Sequence, residues 1–176
     1  MSKVITFSRS FPAHHPRKGE ATFFVEQILN CLGINYLNGH CIVQLMELNP
    51  ELPKDIIFKF QDSLSAKIDG LKKHTIRGGS RFAPGEKFSP RVWIGRPYYP
   101  NYYQGKKIPA QLVFAPVTPV KKTWSFDINY FNTGEYVLNN IPVAGFEQLK
   151  KIAMNDGFEN SDDFELWFNL NNNEKF

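Results

Sequence analysis

The chain has 176 residues, of which 42% are hydrophobic and 15% aromatic, enough to bury the core of one domain. No stretch approaches the roughly 20 consecutive apolar residues that a membrane-spanning helix requires, and the opening MSKVITFSRSF lacks the basic-then-apolar layout of a secretory signal. We therefore expect one compact, soluble, cytoplasmic domain with no membrane partner. The sequence predicts no oligomeric state.

The net charge of +4 is distributed unevenly along the chain. Residues 1–66 contain six basic and six acidic side chains, whereas residues 67–122 contain twelve lysines or arginines and two acids. Residues 123–176 contain three basic and nine acidic side chains. A basic central segment is typical of an anion-binding face, but a solvated basic surface that the acidic tail partly neutralises explains the charges equally well.

The cysteines and histidines do not form a metal-ligand pattern. Cys31 and Cys41 are not part of a C-x-x-C pair, so we expect both to be reduced. An adjacent pair of histidines in the first loop could contribute ligands, but none of the four has metal-ligand spacing with acids or cysteines. These histidines are His14, His15, His40 and His74. We predict neither a metal nor a cofactor.

The first part of the chain predicts a strand, a loop and a helix. VITF reads as a short strand, and the basic, proline-containing segment after it reads as an irregular loop. A helix begins after Thr22, which can cap it, and ends at Gly33. Its predicted buried face comprises Phe24, Ile28, Cys31 and Leu32.

Two further segments precede the most basic part of the chain. Residues 40–48, HCIVQLMEL, suit a strand, and Pro53 suits the first position of a helix that ends before Gly70. The buried face of this helix is predicted to comprise Ile56, Ile57, Phe60 and Leu64. We interpret residues 1–66 as an elaboration of the same domain as residues 67–176.

Residues from 74 onward read first as β-structure and then as helices. Short strands in KHTIR, GEKFSPRVWIG and KIPAQLVFAPVTPVKKTWSFDI, separated by glycine and proline, are typical of a barrel or sandwich. One helix then ends at Gly157, and Asn160 or Ser161 caps another. Their buried positions are predicted at Phe146, Leu149, Ala153, Phe164, Trp167 and Phe168. The terminal NLNNNEKF is expected to fray, and the predicted class is α+β, a curled sheet flanked by several helices.

The segment GLKKHTIR, residues 70–77, fits the pattern G-x-K-x-x-T-x-R. If its second half is a strand, Lys73, Thr75 and Arg77 share one face, and Lys72 lies in the turn after Gly70. A forked guanidinium, a hydroxyl and a movable ammonium could hold a phosphate or polarise a carbonyl. The plain alternative is that Thr75 simply suits a strand and that the basic side chains are exposed.

The pattern in this segment resembles the signature of the ASCH superfamily, whose fold is similar to the PUA domains that bind RNA. The resemblance continues through GSRFAPGEKFSPRVW and IAMNDGFENSDDFELWF, and it covers roughly residues 67 to 169. It implies a PUA-like, curled β-barrel flanked by several α-helices. Residues 1–66 are then an N-terminal elaboration of the kind seen in some bacterial and phage members.

The motif also supports a catalytic hypothesis. Burial and neighbouring cations such as Lys73 and Arg77 would lower the pKa of Lys72, so that it acts as a general base towards Thr75 or a substrate hydroxyl. A metal-independent ribonuclease would need a proton acceptor and a cation for the developing charge. Those roles are open to Lys72, Lys73, His74 and Arg77, although His74 would face away from Thr75 in a strand.

The family resemblance suggests two activities. Some relatives resemble N-acetylcytidine amidohydrolases, and others have been assigned ribonuclease activity. In the amidohydrolase branch the motif's lysine and threonine, here Lys72 and Thr75, work with a glutamate on a following strand. This chain has no acid between Glu86 and Asp127, so the sequence does not supply that carboxylate.

Aromatic and basic residues alternate in FSPRVWIGRPYYPNYYQGKK, residues 88–107. Bases stack on aromatic rings while lysine and arginine contact phosphates, so this composition suits a platform for single-stranded nucleic acid. The alternative is that the tyrosines pack a proline-rich loop against the barrel. We expect Trp93 and Phe88 in the core and some of the tyrosines exposed. Cations of the first loop could approach the same face or remain solvated: Arg9, His14, His15, Arg17 and Lys18.

Three functions remain open at this point. The first is a module that binds RNA, another single-stranded nucleic acid or a nucleotide; the second is a ribonuclease or nucleoside amidohydrolase with Lys72 and Thr75 as catalytic residues. The third is a scaffold for protein interactions, because fold does not determine function. The predicted ligand-binding residues are Gly70, Lys72, Lys73, Thr75, Arg77, Arg81, Arg91, Arg96, Tyr98 and Tyr99.

Overall fold

The computed structural model describes residues 3–36, 39–65, 68, 70–77, 81–129 and 135–168. Within them the chain forms five helices and three sheets, which confirms the α+β class. In this described part of the chain no sheet closes into a barrel. None of the described helices has the length and apolar character needed to cross a membrane.

The helices and strands have the following bounds. The helices are α1 (Phe24–Cys31), α2 (Gly39–Leu48), α3 (Lys54–Asp62), α4 (Phe146–Asn155) and α5 (Ser161–Trp167). The strands are β1 (Lys3–Thr6), β2 (Lys87–Trp93), β3 (Asn101–Tyr103), β4 (Lys106–Ile108), β5 (Gln111–Val113), β6 (Thr118–Pro119), β7 (Phe126–Asn129), β8 (Glu135–Leu138) and β9 (Ile141–Pro142).

Strand β2 is the centre of the main sheet. It pairs in parallel with β1 and antiparallel with β5 and β6. A parallel pair needs a long crossover, and here the chain between β1 and β2 contains α1, α2 and α3. Alternate residues of β2 therefore face these helices, as the fully buried Val92 does, while Arg91 and Trp93 are partly exposed on the outer face. Strands β3 and β4 form a separate hairpin, and β7, β8 and β9 form a third sheet.

Two hydrophobic clusters form the core. The first lies between the main sheet and the first three helices, and includes Ile5, Phe7, Leu29, Leu45, Ile57, Val92 and Leu112. The second joins the N-terminal loop to α1, β8 and the last two helices through Phe11, Phe24, Tyr136, Leu149, Ala153, Phe158 and Phe164. Helix α1 contributes to both, since Phe24 faces the second cluster and Leu29 the first.

Two predicted strands are wrong. Residues 40–48 belong to helix α2, in which Cys41 and Leu45, four residues apart, are both buried. The segment 73–77 is not part of any strand, so the face alternation inferred for Lys73, Thr75 and Arg77 does not apply. The cause is a tertiary contact. The backbone N–H groups of Lys73 and His74 donate to the carbonyl of Asn155, at 2.9 and 3.2 Å. Asn155 is the last residue of helix α4 and is not part of a strand.

The predicted helices are confirmed, but their ends and faces differ in detail. Thr22 does not cap α1, because its hydroxyl donates to the Ser8 carbonyl at 2.9 Å. Cys31 and Leu32 are exposed rather than buried, since α1 ends just there. Asn160 caps α5 by accepting from the Asp163 N–H at 2.7 Å. The terminal segment that we expected to fray lies outside the described residues.

Candidate nucleic-acid interface

Lys72 lies inside the protein, in an ion pair with Asp156. Its Nζ is 2.6 Å from Asp156 Oδ1, and the two side chains are 3% and 5% exposed. The same ammonium donates to the main-chain carbonyl of Asp156 and lies 4.2 Å from the centre of the Phe24 ring. Because Asp156 directly follows α4, this ion pair joins the motif to the end of that helix.

Asp156 acts electrostatically on three cations of the motif. Burial lowers the pKa of Lys72 and raises the pKa of Asp156, and the attraction between them opposes both changes. Burial also lowers the pKa of His74 and of Arg77, and Asp156 again opposes the change. From the sequence, a carboxylate is expected only on a strand that follows the motif. Asp156 instead lies at the end of a helix, 84 positions after Lys72.

Two glycines shape the backbone around Lys72. Gly70 packs against Gln27, whose side-chain Nε2 donates to the Gly157 carbonyl at 3.1 Å. The Lys72 N–H in turn approaches the Gln27 carbonyl at 3.4 Å. A Cβ at Gly157 would lie 2.5 Å from Gln27 Oε1, so no side chain fits there. Gln27 therefore packs between the motif and the turn at Gly157.

Arg77 and Thr75 occupy different surroundings from Lys72. Arg77 donates from Nη2 to the Thr6 carbonyl at 3.0 Å, and its guanidinium lies 5.3 Å from the centre of the Phe7 ring. Thr75 is half-buried, and among the described residues its hydroxyl has no hydrogen-bond partner. The motif therefore connects α4 to β1 and leaves Lys73 exposed to solvent.

Arg77 contacts β1 at the residue that is paired with Arg91 on β2. Thr6, whose carbonyl accepts from Arg77, is the register partner of Arg91, and Gln111 Nε2 donates to the Thr6 hydroxyl at 3.0 Å. Trp93, the partner of Gln111, lies on the same face and is half-buried, so its predicted place in the core is wrong. The reason is strand alternation, which places it opposite the buried Val92.

The exposed tyrosines lie on the hairpin of β3 and β4 and on the turn that precedes it. Tyr98 is 91% exposed, Tyr99 51% and Tyr102 63%, as expected for some of these rings. The guanidinium of Arg96 lies 4.0 Å from the centre of the Tyr99 ring, and Trp93 lies 5.2 Å from Tyr98 between ring centres. Tyr103 instead donates to the carboxylate of Asp55, which attaches the hairpin to α3.

Most cations of the central segment are not neutralised by ion pairs. Among the described lysines and arginines between residues 70 and 122, Lys72 is the only one whose side chain forms an ion pair. The others have no ion pair within the described chain: Lys73, Arg77, Arg81, Lys87, Arg91, Arg96, Lys106, Lys107, Lys121 and Lys122. A surface with this excess of positive charge attracts anions.

The first loop is held by contacts away from the motif. Arg17 pairs with Glu20, Glu159 and Asp163 at 2.8, 3.2 and 2.6 Å. His15 is buried, with Nε2 3.2 Å from the Asp163 carbonyl, and Nε2 of His14 lies 3.0 Å from the Trp167 carbonyl. Arg9 donates to Ser63. Arg9, Arg17 and both histidines therefore attach the loop to the rest of the fold, chiefly to α5.

The chain matches no protein-family model, no curated protein and no solved structure. Among the described residues there is also no group of three or more His, Cys, Asp or Glu side chains placed to hold a metal ion.

Proposed function

We propose that this chain binds single-stranded RNA on a surface formed by the hairpin and the adjoining outer face of the main sheet. We call this surface the tyrosine face; it comprises Arg91, Trp93, Arg96, Tyr98, Tyr99, Tyr102, Lys106 and Lys107. The observation that carries the proposal is three exposed tyrosines among cations that have no ion pair with a described residue. Rings of this kind stack on bases, while the cations contact phosphates.

The backbone of Tyr98 supports the proposal. Its φ of 66° lies in the left-handed region, which costs a residue other than glycine roughly 1 kcal/mol or more. Strain of this kind persists where the surrounding structure determines it, and it clusters at functional sites. Here it accompanies a ring that is almost fully exposed and gains little from burial.

We further propose that the fold is of the ASCH, PUA-like kind. Support comes from the G-x-K-x-x-T-x-R pattern and from the order of the turn, strand and two closing helices that follow it. The motif residues also have specific contacts: Gly70 with Gln27, Lys72 with Asp156, and Arg77 with β1.

Fluorescence anisotropy with a labelled single-stranded RNA of about 12 nucleotides tests the proposed function, since known sites cover about 4–16 nucleotides. Tyr98→Ala, Tyr99→Ala and Tyr102→Ala should each weaken binding by about 5-fold to 100-fold, because one stacked base contributes about 1–3 kcal/mol. Phe146→Ala is the matched control, since Phe146 is 62% exposed but lies on α4. Wild-type affinity in all three tyrosine variants would refute the proposal.

A second candidate function is an enzyme that acts on RNA or a modified nucleoside. The observation that favours it is the buried ion pair of Lys72 and Asp156, whose pKa values are shifted by burial. Thr75, three positions after Lys72 in the chain, has a hydroxyl without a described hydrogen-bond partner. If this site is catalytic, the protein should turn over RNA or an acylated nucleoside. Thr75→Val should abolish this turnover, and Thr75→Ser should retain part of it. Turnover that is unchanged in Thr75→Val would exclude this site.

A further inference from the structure

Residues Lys121–Trp124, which we call the arm, form an exposed segment whose two ends are fixed. Before it, the Val120 N–H donates to the Glu86 carbonyl at 2.7 Å, and the Gly85 N–H donates to the Val120 carbonyl at 2.8 Å. After it, Ser125 and Asn139 are joined by two hydrogen bonds of 3.0 and 2.9 Å. All four residues of the arm are exposed. A segment held at both ends loses little conformational entropy when a ligand binds.

The arm presents an indole ring beside several cations. Trp124 is 51% exposed, and its ring contacts that of His74 edge-on, with 6.3 Å between the ring centres. Lys121 and Lys122 precede it, and Lys73 lies next to His74 in the chain; all three are exposed and have no ion pair with a described residue. The indole thus has one described ring contact, with His74, and exposed lysines lie next to both residues in the chain.

This combination fits nucleic acid better than an apolar partner. A protein interface core is depleted in charged residues, whereas here lysines border the exposed ring. A base offers a flat ring to the indole, and the phosphates on either side of it offer negative charge to the lysines. Charge complementarity therefore selects a single-stranded polyanion with exposed bases.

We propose that the arm is a second subsite for single-stranded RNA, in which Trp124 stacks on a base and Lys73, Lys121 and Lys122 contact the neighbouring phosphates. This rests on the proposed function and extends the bound strand beyond the tyrosine face. The arm follows β6, which pairs with the first residues of β2, while the hairpin follows the end of β2. The seven residues of β2 span about 20 Å, so one strand of several nucleotides is needed to reach both subsites.

Trp124→Ala is the central variant for testing the arm. It should weaken binding of the RNA of about 12 nucleotides by about 5-fold to 100-fold, and it should leave binding of an abasic oligonucleotide of the same length unchanged. Trp124→Phe should retain most of the affinity, which separates lost stacking from a disturbed fold. Phe58→Ala is the matched control, because Phe58 is 47% exposed and lies on α3.

The two lysines of the arm should affect RNA affinity differently from Trp124. Lys121→Ala combined with Lys122→Ala should weaken binding of both oligonucleotides and reduce the dependence of log K on log salt by about 1.4, at about 0.7 for each phosphate contact in single strands. If Trp124→Ala binds RNA like the wild type while the tyrosine variants bind weakly, the arm is not a subsite and the proposed function stands. If the wild type binds no RNA, both proposals fail.

Discussion

Gly157 is the residue on which the packing around Lys72 depends most. Its φ of +93° disfavours any side chain, and an added Cβ would meet Gln27 at 2.5 Å and Phe24 at 3.1 Å. Gly157→Ala should therefore reduce the free energy of unfolding by roughly 2–4 kcal/mol, from backbone strain and overpacking together. Denaturant unfolding measures this loss.

Gly19 provides the control for that prediction. Its φ of +82° imposes similar backbone strain, but nothing lies within 4 Å of an added Cβ. Gly19→Ala should cost only about 1–2 kcal/mol, the strain alone. If both variants lost the same unfolding free energy, an added Cβ at Gly157 would not be crowded by Gln27.

The buried ion pair predicts strong coupling between Lys72 and Asp156. Lys72→Met or Asp156→Asn alone leaves one buried charge without its partner, and each should cost roughly 3–5 kcal/mol. The double variant should cost clearly less than the two single losses combined. Urea unfolding of the four proteins measures the coupling, and strictly additive losses would contradict it.

His74 predicts a loss of stability on the acid side of neutrality. Burial lowers its pKa below the ordinary value of 6.5, so the unfolded chain takes up a proton at a higher pH than the folded chain does. Stability therefore falls as the pH drops below about 6.5 and stops falling, for this group, once the folded histidine is also protonated.

His74→Gln removes that contribution. Between about pH 7.5 and about pH 5, the variant should lose less unfolding free energy than the wild type, because it lacks the imidazole whose pKa burial lowers. If the unfolding free energies of the two proteins changed equally with pH, folding would not lower the pKa of His74.

At the residue scale, the pattern G-x-K-x-x-T-x-R selects Gly70, Lys72 and Arg77 as candidate ligand-binding residues, but it does not indicate that Lys72 pairs with Asp156. The motif is a local pattern, and patterns of spacing report which residues share a face of one element. The contact of Lys72 with Asp156 joins positions far apart in the chain and is made by a helix end, for which the sequence carries no periodic signal.

At the element scale, Asn49 connects helix α2 to the edge of the main sheet. Its side chain donates to the Val113 carbonyl and accepts from the Val113 N–H, both at 2.8 Å, and so pairs the free edge of β5. Asn49→Ala leaves both backbone groups without these partners and should cost roughly 2–4 kcal/mol. Asn30→Ala, which removes one hydrogen bond to the Ile68 carbonyl, should cost only about 1 kcal/mol.

Thermal and denaturant unfolding of these two variants provides the comparison. A loss in Asn49→Ala no larger than in Asn30→Ala would show that water replaces the amide at the sheet edge. That result would leave β5 a solvated edge strand instead of one paired by a side chain.

The elements themselves were predictable where packing and local pattern agree. Ile57 and Phe60 of α3, Leu149 and Ala153 of α4 and the strand β2 followed from the sequence, since their apolar spacing matches the side that meets the core. Phe146, predicted to be buried, is 62% exposed because it begins α4. The strand predicted for residues 40–48 is wrong because six of its nine residues are apolar, and so short an apolar segment does not separate helix from strand. Residues 73–77 have strand-like composition, but their backbone bonds to Asn155 instead of to another strand.

At the scale of the whole molecule, the structure changes the interpretation of the charges. The acidic residues near the C-terminus bind Arg17 of the first loop and Lys72 of the motif, as Glu159, Asp163 and Asp156 show. In the part of the chain described, they do not neutralise the remaining cations of residues 67–122. Sequence gave no means to decide this, because it depends on how distant segments pack.

The salt dependence of RNA affinity tests the central claim most directly. The tyrosine face offers four cations to phosphates: Arg91, Arg96, Lys106 and Lys107. The logarithm of the binding constant should therefore fall with the logarithm of the salt concentration with a slope of about −3. The slope should be steeper if the arm also binds. Tyr98→Ala should lower the affinity at every salt concentration without changing this slope. The account predicts that result for a single-stranded RNA of about 12 nucleotides; absence of binding, or binding that does not respond to salt, would contradict it.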